Sequence, residues 1–247
     1  MQNNDPRLGR LIPKDWSHVE KHPLILSSAE PIKPVPVIAG INWYSAFDTP
    51  VKHSDGRYWV GRDSDNLGYV RGGHCICLPS DGRLDTWENY IFYNQGIDGA
   101  CVGFGSSRAM TNTHNKLFNA RWLWDEAKLT DDFPDSNPGD NSGTTVSAAM
   151  DVLRLKGLVE WNNDQSGLPF AERDLLVPVK SDGIITNKWA TSANDLFSVL
   201  QNPLYEKLEA IPLINSWGTA YPWFVWVPIA IWERLLKEDG EMTMITE

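Results

Sequence analysis

The run Asn94-Gln95-Gly96-Ile97-Asp98-Gly99-Ala100-Cys101, continued by Val102-Gly103-Phe104-Gly105, constrains this chain more than any other segment. A glutamine stands six residues ahead of a cysteine, with glycines between them and a helix-like run after. A cysteine in the first turn of a helix feels the positive end of the backbone dipole, which favours thiolate over thiol. The glycines permit a tight turn and the close approach of another main chain. The glutamine amide is a donor for the negative oxygen that develops when a thiolate attacks a carbonyl. This is how a thiol nucleophile is built beside an oxyanion donor.

Two further segments strengthen that reading. Asn215-Ser216-Trp217-Gly218 follows the apolar run Ile211-Pro212-Leu213-Ile214, and Gly72-Gly73-His74-Cys75-Ile76-Cys77-Leu78 carries a histidine in a strand-like context. Together the three segments resemble the papain-like cysteine peptidases, whose signatures are a QGxxGxC helix start, a GHA-type histidine strand and an NSWG strand end. The resemblance implies hydrolysis of peptide bonds in a peptide or protein substrate, with no metal or other cofactor. It implies Cys101 as nucleophile, His74 as its base, Asn215 as the group orienting the imidazole, and Gln95 as oxyanion donor. Trp217 would shield the His–Asn hydrogen bond from water, with Gly73 and Gly99 as supporting positions.

The order of these parts departs from the family, in which cysteine precedes histidine and asparagine. Here the order is His74, Cys101, Asn215. The stretch from Pro36 to Tyr44 also resembles the strand that normally precedes the family's histidine hairpin. Residues 35–79 therefore read as moved from between Leu200 and Ile211 to a place ahead of the cysteine, a permuted or rearranged arrangement. Triads are defined by geometry and not by chain order, so the rearrangement is compatible with the assignment. Other departures are Val102 where the family has Trp, Asp98 where it often has a disulfide cysteine, and Tyr221-Pro222 after the asparagine motif.

The implied fold class is α+β, with an extended leader over 1–34 and one two-lobe domain over 35–247. A β-rich lobe would draw on 35–79 and 206–247, and a helical lobe on 91–205. A cleft between the lobes would bring the three site segments together.

Bulk properties narrow the partners. A net charge of −10 argues against nucleic acid or an anionic membrane, both of which require a basic face. Three cysteines imply no disulfide framework and fit a reducing compartment, in which a nucleophilic thiol stays usable. Met1-Gln2-Asn3-Asn4-Asp5-Pro6 is not the start of a signal peptide, and no apolar run reaches the ~18 residues of a membrane span. A cytoplasmic or virus-associated location is expected, with assembly partners a further expectation.

Along the chain, Val35–Trp43 and Tyr69–Leu78 read as strands around a polar hairpin tip at Ser54-Asp55-Gly56-Arg57, and 79–90 as a linker. Helices are expected from Cys101 to about Asn115, from an Asn119 cap to Ala127, and from a Thr145 cap to Gly157. The region 165–188 reads as irregular and strand-like. A short helix follows from Ser192 to Leu200, then strands at Ile211–Asn215 and Trp223–Val227 and a closing helix at Ile229–Leu236.

Each candidate has a plainer reading. Cys101 could be a small buried residue, which is what most unpaired cysteines are. Asn215 could merely end a strand, Gln95 sit on a surface loop, and Trp217 belong to the core. Among alternative bases, His114 lies 13 residues after Cys101, about 20 Å along a helix axis, and cannot reach the thiol. His53 sits in a polar loop, and His18 and His22 in the leader. His74, Cys75 and Cys77 invite a zinc reading, but side chains alternate along a strand, so the cysteines face away from His74 and read as core filling. Two other functions remain: an inactive papain-like fold serving as a structural or binding subunit of an assembly, and an amidase or cell-wall peptide hydrolase using the same triad.

Overall fold

The computed structural model describes residues 34–80, 93–133, 136–161 and 176–246. All but the last residue of the leader expected over 1–34, most of the 79–90 linker and the first part of the 165–188 stretch lie outside the described residues.

Two four-stranded sheets organise these residues. The first has the order β4-β1-β8-β5, from Val70–Leu78, Val37–Tyr44, Glu241–Thr246 and Thr186–Trp189, all antiparallel. The second has the order β2-β3-β7-β6, from Val51–Lys52, Tyr58–Trp59, Val225–Pro228 and Ala210–Leu213. Its β3–β7 pair is parallel. The β2–β3 hairpin turns at the expected place, closed by His53 N–H to Arg57 O at 2.9 Å, in the backbone that glycine permits at Gly56 (φ 82°).

The strand β1 shows why its sequence lacks a simple polar–apolar alternation: both of its faces are buried. Val37, Ala39, Ile41 and Trp43 enter one core with Ile76, Trp226 and Trp232. Ile38 points the other way, into a second core with Cys75 and Cys77. Three helices cover that second face: α1 (Cys101–His114), α2 (Ala120–Lys128) and α3 (Val146–Leu155).

Local signals set the helix bounds. Asn119 accepts from Trp122 N–H at 3.0 Å to start α2, and Thr145 accepts from Ala148 N–H at 3.0 Å to start α3. The α1 helix stops where Asn115 adopts a left-handed conformation (φ 55°). Ser192 and Asp195 form a reciprocal capping box on α4 (Ala193–Leu200). The chain continues through α5 (Pro203–Leu208) and closes with α6 (Ile229–Lys237).

Residues 186–200 differ from the sequence expectation. They were expected in a helical lobe, yet β5 extends the first sheet, and Leu196, Val199 and Leu200 of α4 pack into the aromatic core with Trp232 and Leu235. The apolar face of α4 decides this placement, because it matches the α6 side of that core. No helix among the described residues is long and apolar enough to cross a membrane.

Candidate active site

A two-hydrogen-bond bridge joins the two sheets at the site. Cys77 N–H donates to Ile214 O at 3.2 Å, and Ile214 N–H donates to Cys77 O at 2.8 Å. The bridge is antiparallel, so the residues after Ile214 run back along β4 toward His74. Asn215 Oδ1 there meets His74 Nε2 at 2.8 Å and accepts from Ser216 N–H at 2.7 Å. Trp43 stands edge-on to the imidazole at 4.6 Å, and Trp217 lies tilted against it at 5.3 Å. Tyr221, at the altered end of the asparagine motif, packs on Trp217 and donates its hydroxyl to Phe47 O at 2.8 Å. Among the described residues, His74 Nδ1 is buried without a hydrogen-bond partner.

Cys101 is the first residue of α1, and the residue before it, Ala100, offers no side-chain cap. The backbone N–H groups of Cys75, Val102 and Cys101 favour the charged form of the sulfur. The sulfur therefore stands against the main chain of the residue that follows His74. Among the described residues, no hydrogen bond joins it to the imidazole. Helix and strand meet closely because Gly105 has no side chain; a Cβ there would lie 3.0 Å from Cys75 Sγ and 3.3 Å from Ile76 N. Cys101 itself is only 4% exposed.

The segment carrying Gln95 is stitched to the asparagine motif. Gln95 N–H donates to Ser216 O at 2.9 Å, Gly218 N–H donates to Tyr93 O at 3.0 Å, and Asn94 bridges Trp217. The Gln95 side chain is buried, and its Nε2 donates to Asp98 O at 3.0 Å. Gly96, at φ 66°, turns the chain between them. Gly99 lies under the 139–144 loop, where a Cβ would stand 2.7 Å from Asn141 O. Gly73 sits in β4 opposite Asn42.

Burial dominates the protonation of His74 and Cys101. It lowers His74 to about 4, opposed by the hydrogen bond to Asn215. It raises Cys101 to about 11, opposed by the amides of Cys75, Val102 and Cys101. Thiol and imidazole are both uncharged at neutral pH, despite the helix N-terminus beside the sulfur.

The other candidates lie elsewhere. His114 ends α1 and packs edge-on against Phe118. His53 packs against Trp59 and faces Asp63 at 3.6 Å, while His18 and His22 lie outside the described residues. Cys75 and Cys77 point into the helical core, and burial raises both thiols far above their ordinary range. Among the described residues no group of three or more His, Cys, Asp and Glu side chains is arranged to hold a metal ion.

Two contributors to the site carry no sequence signature. Trp43 lies in a strand whose composition marks only burial, yet its ring covers His74. Arg121, in the first turn of α2, pairs with Asp98 and donates to Gln95 O at 3.2 Å. The acidic residue in the Gln–Cys loop was the one available hint that a cation would approach.

No protein-family model and no curated protein matches the chain. Solved structures similar to it include xylellain, a cysteine protease from Xylella fastidiosa, at 14% identity and a TM-score of 0.47 over 64% of this chain and 82% of that one. A structure from work on the mite allergens Blo t 1 and Der p 1 is 14% identical, with a TM-score of 0.48 over 65% and 69%. Digestive procathepsin L 3 of Tenebrio molitor is 10% identical, with a TM-score of 0.42 over 65% and 68%. All three likenesses are remote.

Proposed function

We propose that this chain is a papain-like cysteine peptidase with its catalytic segments in rearranged order, residues 35–79 standing ahead of the cysteine. One observation supports this above the rest. The His74 ring is held through Nε2 by Asn215 between two tryptophans, its Nδ1 is unpartnered, and the Cys101 sulfur rests on the amide of the next residue.

In this mechanism His74 Nδ1 takes the Cys101 proton as the sulfur attacks a peptide carbonyl carbon. Both groups rest uncharged, so proton transfer accompanies the attack and does not precede it. The carbonyl oxygen becomes an oxyanion, received by the Gln95 amide and the Cys101 backbone N–H. Asn215 holds the imidazolium through Nε2–H while Nδ1–H returns the proton to the leaving amine. Water, deprotonated by the same imidazole, releases the acyl group and restores the thiol. An amidase or cell-wall peptide hydrolase would use the same steps on a different amide.

A second reading, an inactive scaffold that binds partners, is favoured by the near-complete burial of Cys101 and by its raised pKa. Labelling with an epoxide reagent for thiol peptidases, followed by intact mass, separates the two. One adduct is expected on the wild type, none on Cys101→Ala and a strongly reduced yield on His74→Ala. Absence of any adduct across neutral pH supports the scaffold.

A further inference from the structure

We infer that Arg121 is a positioning residue for the oxyanion donor, an inference that rests on the peptidase reading above. Gln95 to Asp98 form one turn, in which Asp98 N–H donates to Gln95 O at 3.4 Å and Gln95 Nε2 donates to Asp98 O at 3.0 Å. The Arg121 guanidinium grips both ends of that turn. Its Nη1 pairs with the Asp98 carboxylate, and its Nη2 donates to Gln95 O at 3.2 Å. A planar fork with two fixed donors suits a two-point grip, which a lysine ammonium cannot reproduce.

The arginine is itself held in relation to the nucleophile. Its α2 helix crosses α1 at Gly103, two residues after Cys101, where a Cβ would lie 2.2 Å from Ala120 O and 2.8 Å from Trp124 Cβ. The guanidinium also stands 5.7 Å from the Phe104 ring on α1. Cys101 and the Gln95 side chain are therefore registered against each other through one helix crossing and one charge pair. The pair is only partly exposed, at 17% for the Arg121 side chain and 20% for that of Asp98, so solvent weakens it incompletely.

The test compares two reactions of the same sulfur. Acylation by an N-acyl amino acid p-nitrophenyl ester passes through an oxyanion, whereas alkylation by iodoacetamide does not. Both need the Cys101 proton to pass to His74, so their rate ratio reports the oxyanion donor. An oxyanion donor contributes about 10²–10³-fold, so the acylation-to-alkylation ratio is expected to fall roughly ten- to a hundredfold in Arg121→Ala and Asp98→Ala, and less in Arg121→Lys. The double variant Arg121→Ala/Asp98→Ala is expected to lose no more than either single one, because one clamp has been removed. An unchanged alkylation rate at Cys101 shows that the α1 site is intact in each variant. A ratio equal to wild type in both single variants overturns the role of Arg121 and leaves the peptidase reading standing. A wild type that is alkylated at Cys101 but never acylated overturns both.

Discussion

His74 and Asn215 are joined by a 2.8 Å contact between Nε2 and Oδ1, and the same oxygen accepts a second hydrogen bond from Ser216 N–H at 2.7 Å. The second bond fixes the asparagine oxygen, so the imidazole meets an acceptor that does not swing away. It also fixes the tautomer: an Nε2–H donating to Asn215 leaves Nδ1 as the lone-pair nitrogen of the neutral ring.

Removing that acceptor has a defined sign. The Asn215 hydrogen bond raises the His74 pKa against burial, so Asn215→Ala is expected to titrate below about 4. Imidazole proton shifts followed by NMR across pH 3 to 7 check this. A titration above the wild-type value would show that Asn215 does not hold the charged ring. On the proposed mechanism, turnover in the same variant is expected to fall by roughly tenfold or more, since His74 loses both its orientation and its support.

Acid stability follows from the same ring. The folded His74 pKa is about 4 against an ordinary 6.5, so the unfolded chain binds a proton that the folded chain refuses. The stabilising contribution is complete above pH 6.5 and is lost as pH falls toward 4. One depressed histidine of this size contributes about 3 kcal/mol, read by urea unfolding at pH 7 and pH 4. His74→Gln is expected to flatten that part of the pH profile, and an unchanged slope would place the effect elsewhere.

Trp217 tests whether its ring keeps water from the imidazole. Trp217→Ala is expected to cost about 3–5 kcal/mol as a large-to-small core change. Because burial is the main cause of the depressed His74 pKa, the variant should also titrate above about 4 and closer to 6.5. Loss of stability with no movement of that pKa would make Trp217 a packing residue alone.

Gly99→Ala probes the contact between the Gln–Cys loop and the 139–144 loop. Its Cβ would fall 2.7 Å from Asn141 O and 3.1 Å from Gly143 N, both main-chain atoms with little room to yield. A loss of about 1–3 kcal/mol is expected by chemical denaturation. Slower epoxide labelling of Cys101 should accompany it. A variant as stable as wild type would mean that the two loops separate at little cost.

Much of this architecture was legible because its signals are local. Asn119, Thr145 and Ser192 cap helices with their own side chains, and the Gly56 turn needs only a positive φ. What escaped was non-local. The strand β8 alternates Met242, Met244 with Thr243, Ile245, yet its place between β1 and β5 depends on partners far away in sequence. The α5 helix was missed although Asn202-Pro203, a cap followed by a proline in the first turn, announces it. The motifs pointed to a contact between His74 and Asn215, which the 2.8 Å hydrogen bond shows, whereas the protonation of Cys101 had no signal in the sequence. Helix-start reasoning favours a thiolate, but desolvation of a sulfur that is 4% exposed outweighs the surrounding amides.

The five residues from Ile214 to Gly218 are laced by their backbone to β4 on one side and to Tyr93–Gln95 on the other. Both flanks are thus held through the same short run of peptide groups, so a break in this spine would loosen the histidine strand and the Tyr93–Gln95 segment together.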